Sequence, residues 1–245
     1  MIKRMDTGSP WVVSNNPRGP YWEGPPDGSW MGTRHYNLPA IVRASTAAPG
    51  YFRPEFLRIA AGAPPGLFVD GGVSPYDNPS LPLLMLATAR PYRLRWKMGP
   101  ESLMMVSVGR GSFRVRMAPG TRGPAVGMVA RALLGMIGDG QALSLTLMQW
   151  MSVTPAPHKL NSEIGDLADE FLGGVPLLRF LRYDLPLEAE WLEQELATRT
   201  DARSLAEHRR MDHPGGMSAL RDIAERAAER QVRPEHYPAC FDLDG

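Results

Sequence analysis

Glycine and proline punctuate this chain so densely that its first half can hold few long regular elements. There are 25 glycines and 24 prolines among 245 residues, about one position in five. They crowd residues 19–32, 64–72 and 119–127. Each cluster dictates loop or turn, because proline removes a backbone donor and glycine lets the chain reverse. Between the clusters lie short apolar runs at 11–13, 67–69 and 103–108, with the length and composition of buried strands. Candidate helices at 38–48 and 81–90 alternate with them. The order strand, helix, strand, helix, strand predicts an α/β sheet with mostly parallel strands.

Past about residue 113 the character changes. Residues 125–137 and 142–151 read as helix, and 187–230 is rich in Glu, Arg, Ala and Leu. Residues 177–183 are one further candidate strand. In the last helix Leu220, Ile223, Ala227 and Ala228 form one stripe, while Arg221, Asp222, Glu225, Arg226 and Glu229 cover the other faces, so the stripe is expected to dock on a core. The expected division is residues 1–112 and 113–245, the second part mainly helical.

Charge narrows the function. Lys plus Arg number 27 and Asp plus Glu 26, a net of +1, which sets up no field to draw in nucleic acid. One cysteine, Cys240, allows no intrachain disulfide and no cysteine-built metal site. The N-terminal residues carry basic side chains without an apolar run behind them, unlike a signal peptide. The longest apolar stretch, 127–151, is broken by Arg131, Asp139 and Gln141, short of the roughly 20 apolar residues a membrane helix needs. A soluble, cytoplasmic protein is expected. His35, His158, His208, His213 and His236 include no pair at the i, i+4 spacing of zinc helices, so neither a metal nor another cofactor is expected. Gly109 and Gly111 end a strand but Arg114 stands where a dinucleotide loop needs its third glycine, which leaves a strand-end turn.

The chemistry-bearing segment is Leu67-Phe68-Val69-Asp70-Gly71-Gly72-Val73, followed by Asn78-Pro79. An apolar strand delivers Asp70 at its tip, and two glycines let the backbone turn and let another segment or a substrate approach. Asn78 is a good helix N-cap and Pro79 a good first helical residue. Catalytic groups sit characteristically at such strand-to-helix turns. A turn aspartate capping local amides fits the same residues. Ser45, in Arg43-Ala44-Ser45-Thr46-Ala47-Ala48-Pro49, lacks the flanking glycines that expose a nucleophile and reads as structural.

With Thr7-Gly8-Ser9-Pro10-Trp11 and Ser14-Asn15-Asn16-Pro17 ahead of them, these two segments resemble bacterial patatin-like phospholipases, and the resemblance runs from Asp6 to the C-terminus. It implies an incomplete three-layer patatin-like sheet with helices on both faces, within residues 1–112, plus a mainly helical C-terminal extension. It further implies a Ser-Asp dyad that hydrolyses lipid acyl esters, with Asp70 at the dyad position, Gly71 and Gly72 shaping its loop, and transient contact with a membrane surface. A carboxylate of ordinary pKa about 3.9 is a weak base toward a hydroxyl, so such a dyad depends on burial and a short hydrogen bond. The chain departs from the family at the nucleophile, for no Gly-x-Ser-x-Gly occurs: Ser74 is followed by Pro75-Tyr76, and Ser112 by Phe113-Arg114. The glycine-rich oxyanion loop is also missing. An N-terminally truncated family member, inactive alone, is therefore the expectation, and a non-catalytic interaction or regulatory module on the same scaffold is the alternative.

Overall fold

The protein is described here from a computed structural model that covers residues 1–114, 120, 125–210 and 212–243, the side chains at 126 and 130 excepted. The glycine and proline cluster at 119–127 lies largely outside these residues. The chain is a mixed α/β protein that divides into two compact units.

The first unit takes residues Met1–Lys97 together with a long helix as far as Met148. Its strands are β1 (Ile2–Arg4), β2 (Pro10–Trp11), β3 (Glu55–Leu57) and β4 (Gly66–Asp70), in the order β2-β1-β4-β3. All three pairings are antiparallel. This corrects the expectation of mostly parallel strands for the run at 67–69. The cause is local: β3 passes to β4 through residues 58–65, with Gly62 at φ +73°, too short a link for a parallel crossover, and Gly8, at φ +70°, likewise turns β1 straight back as β2, where Arg4 meets the Asp6 carboxylate at 2.7 Å. Ile2 then lies opposite Asp70, and Arg4 opposite Phe68. The run read as a strand at 11–13 contributes only its first residue to β2.

Helix α1 (Leu38–Ser45) packs Ala44 against Ile2, Leu57 and Phe68, with Trp11, Ile41 and Ile59 around them. Phe68 is fully buried and meets Trp11 edge to face at 5.1 Å. Such burial is worth about 1.5–3 kcal/mol for the Phe side chain alone. The helix stops at Ser45, three residues earlier than expected, because the Thr46 hydroxyl donates to the Val42 carbonyl at 3.1 Å and Thr46 leaves helical geometry. Helix α2 (Ser80–Thr88) begins after Asn78, whose Oδ1 accepts from the Ser80 amide at 3.1 Å and the Ser80 hydroxyl at 2.7 Å. The stretches expected at 125–137 and 142–151 are one helix, α3 (Ala125–Trp150).

The second unit takes residues 98–114 and Gln149 onward. Its strands β5 (Met104–Val108), β6 (Ser152–Val153) and β7 (Leu178–Tyr183) form a parallel sheet in the order β5-β7-β6. β7 is central and buries Leu178, Phe180, Leu181 and Tyr183, the near-continuous apolar run of a parallel strand. Helices α4 (Ala189–Leu196), α5 (Ala202–His208) and α6 (Met217–Gln231) close a second core of Leu185, Leu187, Leu192, Leu196, Leu205, Ile223 and Ala227. Leu220 joins this core but Ala228 is exposed, so the stripe of α6 is narrower than its sequence suggests. Gln149, fully buried, donates through Nε2 to the carbonyls of His158 (3.0 Å) and Asp166 (2.7 Å) and accepts from the His158 amide (2.8 Å). Among the described residues no helix is long and apolar enough to cross a membrane.

Candidate functional site

Asp70 is the last residue of β4 and is half-buried. Its amide donates to the Ala47 carbonyl just beyond α1 at 3.1 Å, which fixes the strand tip against that helix's exit. Its carboxylate caps the next turn, with Oδ1 accepting from the Gly72 amide at 2.7 Å. No hydrogen bond to Oδ2 exists among the described residues. The Ser74 hydroxyl then closes on the Gly71 carbonyl at 2.6 Å, so the turn is held from both ends.

Space requires glycine at 71, against backbone, and at 72 sets an added carbon against two carboxylate ends. A Cβ at Gly71 would lie 2.8 Å from the Met1 carbonyl oxygen, and one at Gly72 would lie 2.8 Å from Asp77 Oδ1 and 3.2 Å from Asp70 Oδ1. The approaching groups are thus β1's leading residue on one side and a second carboxylate on the other. Asp77 is in turn engaged by the Gln141 side-chain amide of α3. Gly140 lets the same helix meet Pro75, whose Cα would be 3.0 Å from a Cβ there. Burial lowers the pKa of the Met1 amino group while the nearby Asp70 carboxylate works to raise it.

Ser45 lies on the same side of the unit but its hydroxyl donates to the Met1 carbonyl at 2.8 Å, a structural role. Asp70, Gly71 and Gly72 are therefore brought together with Met1, Asp77 and Gln141. The last three carry no sequence pattern that would have singled them out. Among the described residues no group of three or more His, Cys, Asp and Glu side chains could hold a metal ion. Gly109 and Gly111 form a strand-end turn whose amides are consumed locally: Gly109 donates to the Tyr183 carbonyl at 2.7 Å and Gly111 to Asp184 Oδ1 at 3.1 Å.

The second unit contains a cavity of about 400 Å³, lined by residues that include His158, Arg182, Asp184, Trp191, Arg230 and Arg233. None of Asp70, Gly71 and Gly72 lines it. Of these lining residues only His158 attracts notice in the sequence, and there as an unpaired histidine. Arg182 and Asp184 stand two apart at a strand end, where side chains share a face. Compared with known proteins, the chain matches no protein-family model, no curated protein and no solved structure.

Proposed function

We propose that this chain carries the aspartate half of a patatin-like lipid acyl hydrolase, on an incomplete three-layer sheet with helices on both faces. The observation that carries the reading is the state of Asp70: a half-buried carboxylate at a strand tip, with Oδ1 oriented by the Gly72 amide and Oδ2 without a hydrogen-bond partner among the described residues. One oxygen positions the group and the other is left to accept a proton. A serine hydroxyl presented by a further polypeptide segment would pass its proton to Asp70 as its oxygen attacks the acyl carbonyl. Asp70 would hand that proton to the leaving alkoxide as the ester bond breaks; a water would then attack the acyl-serine, giving its proton to Asp70, which returns it to the serine oxygen as the carboxylic acid departs. Amide donors on that same further segment would hold the oxyanion. The exposed Val129, Leu133, Leu134 and Met136 of α3 support acyl-chain or transient membrane-surface contact.

The 2.7 Å bond within its own turn favours a second reading, in which Asp70 only caps Gly72 and the chain is a non-catalytic interaction module. The two separate by reconstitution. Co-expression with a patatin-type segment bearing Gly-x-Ser-x-Gly and a glycine-rich loop is expected to restore hydrolysis of p-nitrophenyl butyrate and labelling by a fluorophosphonate. Asp70→Asn should then lower turnover by about 10²–10⁴-fold. Restored turnover that Asp70→Asn leaves unchanged refutes the dyad role, and failure to restore any turnover favours the non-catalytic module.

A further inference from the structure

The cavity of the second unit opens where ligands are received in parallel α/β sheets, beyond the carboxyl ends of the strands. Arg182, Tyr183 and Asp184 bring the end of β7 into its wall. The buried charges there are already matched. Arg182 pairs with Asp184 at 2.9 Å, with the two side chains 13% and 9% exposed. The Arg182 guanidinium also donates to the Ser107 hydroxyl at 2.8 Å, and Asp184 Oδ1 also accepts from the Gly111 and Leu185 amides. At the rim Arg230 pairs with Glu195 at 2.8 Å.

Arg233 is different. It lines the same cavity, it is exposed, and its side chain makes no ion pair or hydrogen bond among the described residues. Three arginines therefore face two carboxylates, and the uncompensated charge is a guanidinium. Its backbone is held firmly. Arg233 directly precedes the turn Pro234–His236, and buried His236 shares a hydrogen bond between its Nδ1 and the Tyr183 phenol at 2.8 Å. Burial first, and the hydrogen bond to the neighbouring Tyr237 second, push the Tyr183 phenol far above its ordinary value. Half-buried Trp191, with Pro157 and Pro186, supplies an apolar wall.

We propose that this cavity binds a small anion with a flat apolar body, an arenecarboxylate or an aryl phosphate monoester, whose charged group pairs with Arg233 and whose ring lies on Trp191. A guanidinium fork suits both anions, and an aromatic face suits the ring. The inference is independent of the role given to Asp70. Calorimetric titration of the whole chain with phenyl phosphate, benzoate, inorganic phosphate and benzyl alcohol tests it. One of the two aromatic anions is expected to saturate a single site, and the tighter of them identifies the charged group. Inorganic phosphate and benzyl alcohol, each lacking one half of the recognition, are expected to bind at least about tenfold more weakly, as is the anion to Arg233→Gln. Arg203→Gln, at an exposed arginine paired with Glu207 on α5, is expected to change nothing. No saturation by either aromatic anion, equal binding of benzyl alcohol, or undiminished binding to Arg233→Gln overturns the proposal.

Discussion

Replacing Asp184 by alanine would strand the Arg182 guanidinium inside the second unit. The pair is 2.9 Å apart and its side chains are only 13% and 9% exposed, so water reaching them from the cavity replaces the lost partner only in part. Removing one member of a buried pair costs about 3–5 kcal/mol, because the remaining charge stays desolvated. The Gly111 and Leu185 amides lose their acceptor as well, which adds about 1 kcal/mol each where no water replaces it. Against a typical total of about 5–15 kcal/mol this is a large fraction. With a urea m-value of about 2 kcal/mol/M, the midpoint for this unit should fall by about 1.5–3.5 M, the upper end if both amides stay unpaired. Hydrogen exchange at the amides of β7 reports on this unit specifically. The double variant Arg182→Met/Asp184→Leu removes both charges and should recover most of the loss, since well-packed apolar groups commonly replace a buried ion pair at little cost. A loss under about 1 kcal/mol for Asp184→Ala, or a double variant no better than the single one, would refute the reasoning from burial.

Three more outcomes follow from the packing. Phe68→Ala removes the fully buried centre of the first core and should cost about 3–5 kcal/mol, read as faster exchange in β1, β3 and β4 together; exchange that rises in β4 alone would contradict a shared core. Gly135→Ala and Gly138→Ala should each stabilise α3 by about 1 kcal/mol, because nothing lies within 4 Å of the added carbon, whereas Gly140→Ala should give no such gain with Pro75 Cα at 3.0 Å; equal effects at all three positions in thermal melts would sink this distinction. The Ser204 amide, followed by its hydroxyl, holds the Asp201 carboxyl below its ordinary range at the start of α5. A depressed folded value means stability that is present above the ordinary aspartate range and lost as pH falls through the lowered one. The melting-temperature gap between wild type and Asp201→Ala should accordingly close as pH drops well below about 4, and a gap that widens there would reverse the sign.

Strand β4, the turn at Asp70 and the Asn78 bonds ahead of α2 are legible in the sequence because each rests on local rules: an apolar run, two glycines, an asparagine before a helix. So is β7, whose Leu178–Tyr183 run is apolar enough to be central. The strands at Ile2–Arg4 and Glu55–Leu57 are not, since three residues of mixed polarity acquire strand geometry only by pairing with β4. Strand direction is lost for the same reason, because the short link from β3 into β4 sets it. The break read near Gly138 and Gly140 in α3 fails because helix glycines cost only about 1 kcal/mol apiece. At the candidate site the sequence supplies Asp70, Gly71 and Gly72. It is silent on Met1, Asp77 and Gln141, which the fold gathers around them through β1 and α3. The second unit's ion pair is equally hidden, for nothing in Arg182-Tyr183-Asp184 says that the two charged side chains turn inward to each other.

Gln149 places a heavy duty on one neutral group. Its two N–H bonds and single oxygen are all engaged by the segment that carries His158 into the cavity wall. Exchanging that nitrogen for oxygen, as in Gln149→Glu or by hydrolysis of the amide, would turn lone pairs toward two carbonyls. The tether would become a repulsion, and one wall of the cavity would come loose while the sheet behind it stayed intact.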